Sequence, residues 1–388
     1  MTPCLPDGPQ ARPEVESLHA YSAPLEGRRG LLRLDFNENT VGPSPKVVEA
    51  IRAIPADHYA IYPEYDGLRE VVVASLGGMG LNPAHIGLFN GVDAALHALF
   101  HAYGAPGDRL LTTSPTFGYY SPCARMQGMA IEAIPYRGGD FAFPLEQIRA
   151  ALNDPGGAGE PSGNWQPPRI LLLCNPNNPT GTRLAPERIL ELAAAAPRTL
   201  VVVDELYEAF TGDSVLPPLL NLGAADAFSA HPNLLVLRSL AKTAGLAGLR
   251  IGFAIGAPAL VDRISRVTGP YDINSFAVVA ARAALADQAY VDGYVAEVLS
   301  ARSWLLERLR AAGVRHHAAG GNYLLIWPSR PEAAVEAELR QAGILVRSME
   351  GKPLIDGSLR VSLGTREQMA RFWEAYQAIE TSRISASP

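Results

Sequence analysis

A repeated pattern constrains the fold of this chain more than any other feature: a short apolar run, then polar residues, then a helical segment. The clearest runs are Arg109-Leu-Leu-Thr, Ile170-Leu-Leu-Leu-Cys174, Leu200-Val-Val-Val203 and Leu234-Leu-Val-Leu237. Each is continuous rather than alternating, as expected of strands buried on both faces of a parallel sheet. Helices are expected between them, for example over 186–196, where Pro186 suits a first turn. The expectation is an α/β fold: a three-layer domain with a mostly parallel sheet over 46–268. After about residue 270 the pattern changes. A long amphipathic helix carrying Val295, Val298, Leu299, Leu305, Leu306 and Leu309 ends before Gly313, and 323–327, 344–346 and 359–363 read as strands. That predicts a smaller α+β domain over 269–388, with 1–45 forming an arm and part of it. The stretch 153–168 reads as an exposed connection.

At 388 residues the chain exceeds a single ordinary core, and 48% hydrophobic with 19% charged residues is the composition of a soluble globular enzyme. A net charge of −6 without a dense Lys/Arg run argues against nucleic acid as a partner. Cys4, Cys123 and Cys174 are too widely spaced for a disulfide framework or a metal site and suit a reducing compartment. The segment 1–13 lacks the basic start and apolar stretch of a signal peptide, and no apolar run approaches the roughly 18 residues of a membrane span. A cytoplasmic protein is expected.

Only three of the 33 basic residues are lysines, and one of them, Lys242, follows an apolar strand. A lysine amine can lose its proton near neutral pH and form an imine with a carbonyl, which a guanidinium cannot. In open parallel sheets ligands bind beyond the carboxyl ends of the strands. There the runs lead into Ser114-Pro-Thr-Phe-Gly-Tyr-Tyr120, Asn175-Pro-Asn-Asn-Pro-Thr-Gly181, Asp204-Glu-Leu-Tyr207, and Ser239 with Lys242. Asp204 reads as a cap or as a buried carboxylate needing a cation, such as a protonated heterocyclic nitrogen. Asn90-Gly-Val-Asp93 opens a helix and reads as an ordinary cap or as an anion pocket made by Gly91, Val92 and Asp93. Phe117 reads as core or as a ring platform. Arg250 reads as a surface partner or as a tucked cation suited to phosphate. Arg347 and Arg360, on neighbouring strands, stay solvated or clamp a carboxylate or phosphate.

These segments resemble the fold-type I pyridoxal-phosphate (PLP) enzymes, in the branch of the histidinol-phosphate aminotransferases. The resemblance runs from Tyr21 to about Gly364 and rests on Leu34-Asp-Phe-Asn-Glu-Asn39, Tyr62-Pro-Glu64, Asn90 to Asp93, Pro115-Thr-Phe117, Asn175 to Gly181, Asp204 to Tyr207, Ser239 to Arg250, Pro270 to Asn274, Gly321-Asn-Tyr323 and Leu359-Arg-Val361. It implies that Lys242 forms the Schiff base, that Asp204 holds the pyridine nitrogen, and that Asn178 and Tyr207 bond the ring hydroxyl. It implies that Phe117 stacks on the ring, and that Gly91, Val92, Asp93, Ser239 and Arg250 hold the phosphate with Tyr62 of a second subunit in a homodimer. Arg360, Arg347, Tyr21 and Asn178 are implied to bind the substrate.

Four positions depart from the family pattern: Thr40 for Pro, Ala94 for Glu, Phe117 for Tyr, and Ala241 for Ser before the lysine. They leave room for a paralogue with another substrate. The implied reaction is amino transfer between a small-molecule amino donor and a 2-oxo acid, with Lys242 as the proton-moving base. Histidinol phosphate with glutamate and 2-oxoglutarate is the substrate expected. An aromatic amino acid aminotransferase and a threonine-phosphate-type decarboxylase share nearly all these residues. A nicotinamide oxidoreductase is disfavoured, since no Gly-x-Gly-x-x-Gly follows a strand.

Overall fold

The computed structural model describes residues 8–20, 26–78, 80–153, 165–221 and 223–381. Tyr21 and most of the 153–168 connection lie outside the described residues. Strand β1 (Leu32–Arg33) precedes the main sheet, which comprises β2 (Ile86–Phe89), β3 (Arg109–Ser114), β4 (Ala130–Pro135), β5 (Ile170–Cys174), β6 (Leu200–Asp204), β7 (Leu234–Ser239) and β8 (Gly252–Gly256). The seven strands lie in the order β2-β8-β7-β6-β5-β3-β4. From β7 through β4 every pair is parallel, and β8 pairs antiparallel with both β7 and β2.

The continuous apolar runs are explained by alternation between two dry faces. Leu171 and Leu173, Val201 and Val203, and Leu234 and Val236 point into one core cluster; Ile170 and Leu172, Leu200 and Val202, and Leu235 and Leu237 point into the other. Helices Leu145–Leu152, Pro186–Ala195 and Ser275–Leu285 cover the first face. Helices Gly91–Tyr103, Tyr120–Met126 and Pro258–Ser265 cover the second. Each fully buried Val or Leu contributes about 1.5–3 kcal/mol, so a charge at Val202, which is wholly buried, would cost the sheet its centre. Strand β4, an edge strand with exposed positions, and the four-residue β2, with its glycine, carry too weak an apolar signal to be read from sequence.

The second unit is an antiparallel sheet ordered β12-β13-β10-β9, made of β9 (Arg315–His317), β10 (Tyr323–Trp327), β12 (Arg347–Ser348) and β13 (Leu359–Ser362). Helices Gln288–Ala311, Glu332–Gln341 and Arg366–Thr381 pack on it around Val298, Leu305, Leu309, Leu339, Phe372 and Tyr376. The run 344–346, expected as one strand, divides: β11 (Ile344–Leu345) pairs in parallel with β1, while Arg347 pairs with Arg360 in β13. Pairing with β1 carries Leu32 and Leu34 into this core, where they meet Tyr207 and Phe210 arriving from the end of β6. The seam between the two sheets therefore runs past Tyr207.

Candidate active site

Four loops at the carboxyl edge of the main sheet converge here. Strand β6 delivers Asp204, which is 3% exposed. Its Oδ2 accepts a hydrogen bond from Tyr120 Oη at 2.6 Å, and its Oδ1 accepts the Leu206 N–H at 3.2 Å. Burial raises the Asp204 carboxyl to about 6, and the Tyr120 bond opposes that rise. Among the described residues no ion pair reaches Asp204. The turn beyond it is braced from behind, where Arg238 binds buried Glu205 and Glu208.

Beyond β5 the chain turns through 175–181, and each asparagine there has separate work. Asn175 exchanges two bonds with the Leu184 backbone. Asn177 binds Thr116, the Pro115 carbonyl and Thr180. With the loop's buried polar groups satisfied in this way, Asn178 is free to face the site. Its Nδ2 donates to Tyr207 Oη at 3.3 Å and its Oδ1 accepts from Arg360 Nη1 at 2.7 Å. Tyr207 Oη also accepts from Asn37 Nδ2 at 3.1 Å, and burial pushes its phenol up.

Strand β7 ends at Ser239, whose Oγ accepts from the Ala241 N–H at 3.1 Å and donates to the Ile251 carbonyl at 3.2 Å. Lys242 Nζ donates to the Phe36 carbonyl at 3.0 Å. Burial first, and then nearby Arg360, lower its amine to about 8, so a useful fraction is neutral at physiological pH.

At the opposite wall the helix Gly91–Tyr103 begins without a side-chain cap from Asn90, and Val92 and Asp93 of its first turn line the site. Glycine is required twice. Gly91 has φ +76°, and a Cβ there would meet Arg250 Nη2 at 2.7 Å; one on Gly252 would meet Gly91 C and Val92 N at 2.7 Å. These absences let Arg250 and β8 lie against the helix start. Arg250 is less tucked than the sequence suggests: its side chain is 43% exposed, and Nη2 donates to Asp93 Oδ2 at 2.7 Å.

One cavity is lined by Val92, Asp93, Phe117, Asn178, Asp204, Tyr207, Ser239, Lys242 and Arg250, so nine of the expected residues share it. Ala241 also lines it, contributing a methyl group where a hydroxyl could have stood. Phe117 meets Tyr120 edge-on at 5.4 Å and 81°. Arg360 reaches across from β13, donating to Asn178 and, through Nη2, to the Asp35 carbonyl at 2.6 Å, while its buried Nε has no partner among the described residues. Arg347 stands beside Arg360 in the pairing register, 5.8 Å from the Phe36 ring centre. Tyr62 is not brought into the cavity: it is 69% exposed and stacks on Tyr271 at 4.0 Å. Ala94 lines a separate surface cavity with His97 and His101, and Thr40 bonds Gln368 at 2.6 Å.

Three residues that sequence reasoning left without a role complete the site: Tyr120, Asn37 and Cys174. Asn37 belongs to a polar cluster, 35–39, whose density was a usable signal; Asn39 in the same cluster binds the Thr243 carbonyl next to Lys242 at 2.8 Å. No signal marked Tyr120 off from a core aromatic.

A buried carboxylate without a cation, a near-neutral amine, and an uncapped helix start beside an arginine fit the pyridine nitrogen, the aldehyde and the phosphate of PLP respectively. Among the described residues no group of His, Cys, Asp and Glu is placed to hold a metal, and no helix is long and apolar enough to cross a membrane.

Comparison with known proteins agrees with that fit. The family description "Aminotransferase class I and II" matches residues 29–375. Histidinol-phosphate aminotransferase from Roseiflexus castenholzii is 34% identical over 378 residues, covering 92% of this chain and 94% of its own. That from Moorella thermoacetica is 31% identical over 384 residues, covering 96% and 93%. The solved structure of the Sinorhizobium meliloti histidinol-phosphate aminotransferase, in complex with pyridoxal-5'-phosphate, shares the fold at a TM-score of 0.82 and 24% identity, over 99% of this chain and 100% of that one.

Proposed function

The chain belongs to the class I and II aminotransferase family, and on that premise we propose that it is a PLP-dependent transaminase acting on histidinol phosphate, with glutamate and 2-oxoglutarate as amino donor and acceptor. One observation carries the reading: Lys242, with its amine lowered to about 8, shares a cavity with the unpaired buried carboxylate of Asp204. Bound there, PLP supplies an aldehyde that takes up an amino group and a protonated ring that draws electrons from the substrate α-carbon.

This chain's residues do the rest. Asp204 would keep the ring nitrogen protonated, Asn178 and Tyr207 would bond the ring hydroxyl, and Phe117 would cover a ring face. The N–H groups of Val92 and Asp93, with Ser239 and Arg250, would hold the phosphate at a helix start, where dipole and donors both favour an anion. Lys242 Nζ, with its amine lowered to about 8, would be the base that takes the proton from the substrate α-carbon. Arg360, held through Nη1 by Asn178 of the cavity wall, brings its charge to the acidic end of the substrate, and Arg347 adds charge beside it.

The proposal includes a homodimer. Tyr62 and Tyr271 form a stacked, exposed aromatic pair with Tyr59 and Ile61 also exposed, an apolar surface suited to a second copy, and Tyr62 then reaches the partner's phosphate site. The free buried cysteines Cys123 and Cys174 support a cytoplasmic location. The test is a panel of amino donors, monitoring conversion of the cofactor to its amine form. Histidinol phosphate and glutamate should convert it. No response to histidinol phosphate alongside a fast one to phenylalanine overturns the substrate in favour of an aromatic amino acid.

A further inference from the structure

We propose that Tyr120 is a positioning residue that holds Asp204 ionised and oriented for the cofactor ring, and at the same time sets the tilt of Phe117. The inference rests on the reading of Asp204 as partner of the ring nitrogen. Tyr120 is wholly buried in the apolar layer beneath the site. A phenol there needs a polar partner, and its Oη lies 2.6 Å from Asp204 Oδ2, a short bond of the charge-assisted kind. With Leu206 N–H on Oδ1, each carboxylate oxygen has one protein donor and keeps a lone pair for an incoming N–H. The edge of the same ring supports Phe117 at 5.4 Å. One side chain therefore touches both groups that would grip the ring, from below and from the face.

The other groups around Asp204 do not duplicate this. Asp93 opposes its ionisation and Lys242 favours it from across the cavity, both by charge alone. Cys174 and Tyr207 are held in their neutral forms by burial. After burial itself, the Tyr120 bond is the largest influence on this carboxyl, and it favours the charged form.

The test is Tyr120→Phe, which keeps the ring and removes only the hydroxyl. The dissociation constant of PLP from the apoenzyme is measured by tryptophan fluorescence from pH 6 to 9, and taken as a ratio to wild type so that the titration of Lys242 cancels. Loss of the donor raises the Asp204 pKa, so between the old and new values the carboxyl is protonated only in the variant. For a rise of one pKa unit from about 6 the ratio should be about fivefold at pH 6 and about threefold at pH 6.5, and should fall to about one at pH 9. A flat ratio, which a merely structural role would give, or an unchanged affinity overturns the proposal. Asp204→Asn separates the premise: if it binds PLP as wild type does at every pH, the reading of Asp204 fails rather than that of Tyr120. Should Tyr120→Phe not fold, a difluorotyrosine at position 120 strengthens the donor with its shape nearly kept. It should move the acid limb of PLP binding downward, and an unmoved limb overturns the proposal.

Discussion

Gly252→Ala tests whether the phosphate end of the site depends on the close approach of β8 to the helix Gly91–Tyr103. An added Cβ would lie 2.7 Å from both Gly91 C and Val92 N, whereas ordinary contact begins at 3.4 Å. The two backbones must part by about 0.7 Å, because neither contact is with a side chain that could rotate away. At Gly91 the added Cβ would instead press on the tip of Arg250, a flexible group, although its φ of +76° adds strain of its own. Overpacking of this kind costs about 1–3 kcal/mol. Displacing the first N–H groups of the helix by that distance should weaken PLP about 10- to 100-fold, in line with the steep cost of misplacing a preorganised group. The assay is apoenzyme titration with PLP, paired with a thermal melt that should fall by a few degrees. Gly248→Ala is the control, since an added Cβ there meets nothing within 4 Å. A Gly252→Ala protein with wild-type affinity and melting temperature, or an equal loss in Gly248→Ala, would refute the reasoning.

Lys242→Ala should abolish turnover and the visible absorbance of bound cofactor; retained absorbance would remove the lysine from its role. Because the amine must be neutral to accept a proton, kcat should rise with pH through about 8, and a flat profile from pH 6.5 to 9.5 would contradict that assignment. Asp204 has a folded pKa of about 6, above the ordinary carboxyl value of 3.8, so its ionisation costs stability as pH rises through that range. Apoenzyme carrying Asp204→Asn should be more stable than wild type by up to about 3 kcal/mol at pH 8 and no different near pH 3.5, as denaturant unfolding would show. Mixing Lys242→Ala with Tyr62→Ala protein should restore activity, since a hybrid dimer holds one intact site if Tyr62 crosses between subunits. No restoration would mean that it does not.

Much of the fold was legible because burial on both sheet faces leaves an uninterrupted apolar run, as at 170–174 and 200–203, and no polar alternation competes with it. Edge strands such as β4 face water on one side and lose that signature. The division of 344–348 between β1 and β13 was hidden for a different reason. Which neighbour a strand pairs with depends on where the arm returns, and local composition does not encode that.

For the site, sequence alone determined the chemical types at the ends of the strands: an amine, a carboxylate, an asparagine, a phenol and a serine, in an order that the strand pattern carries to one edge. Tertiary structure decided which of them meet. It tied Arg250 to Asp93, left one nitrogen of Arg360 without a partner among the described residues, and kept Tyr62 on the surface. It also set the protonation of Lys242 and Asp204, because a pKa depends on burial and on charges distant in the chain, and on neighbours such as Tyr120, 84 residues from Asp204.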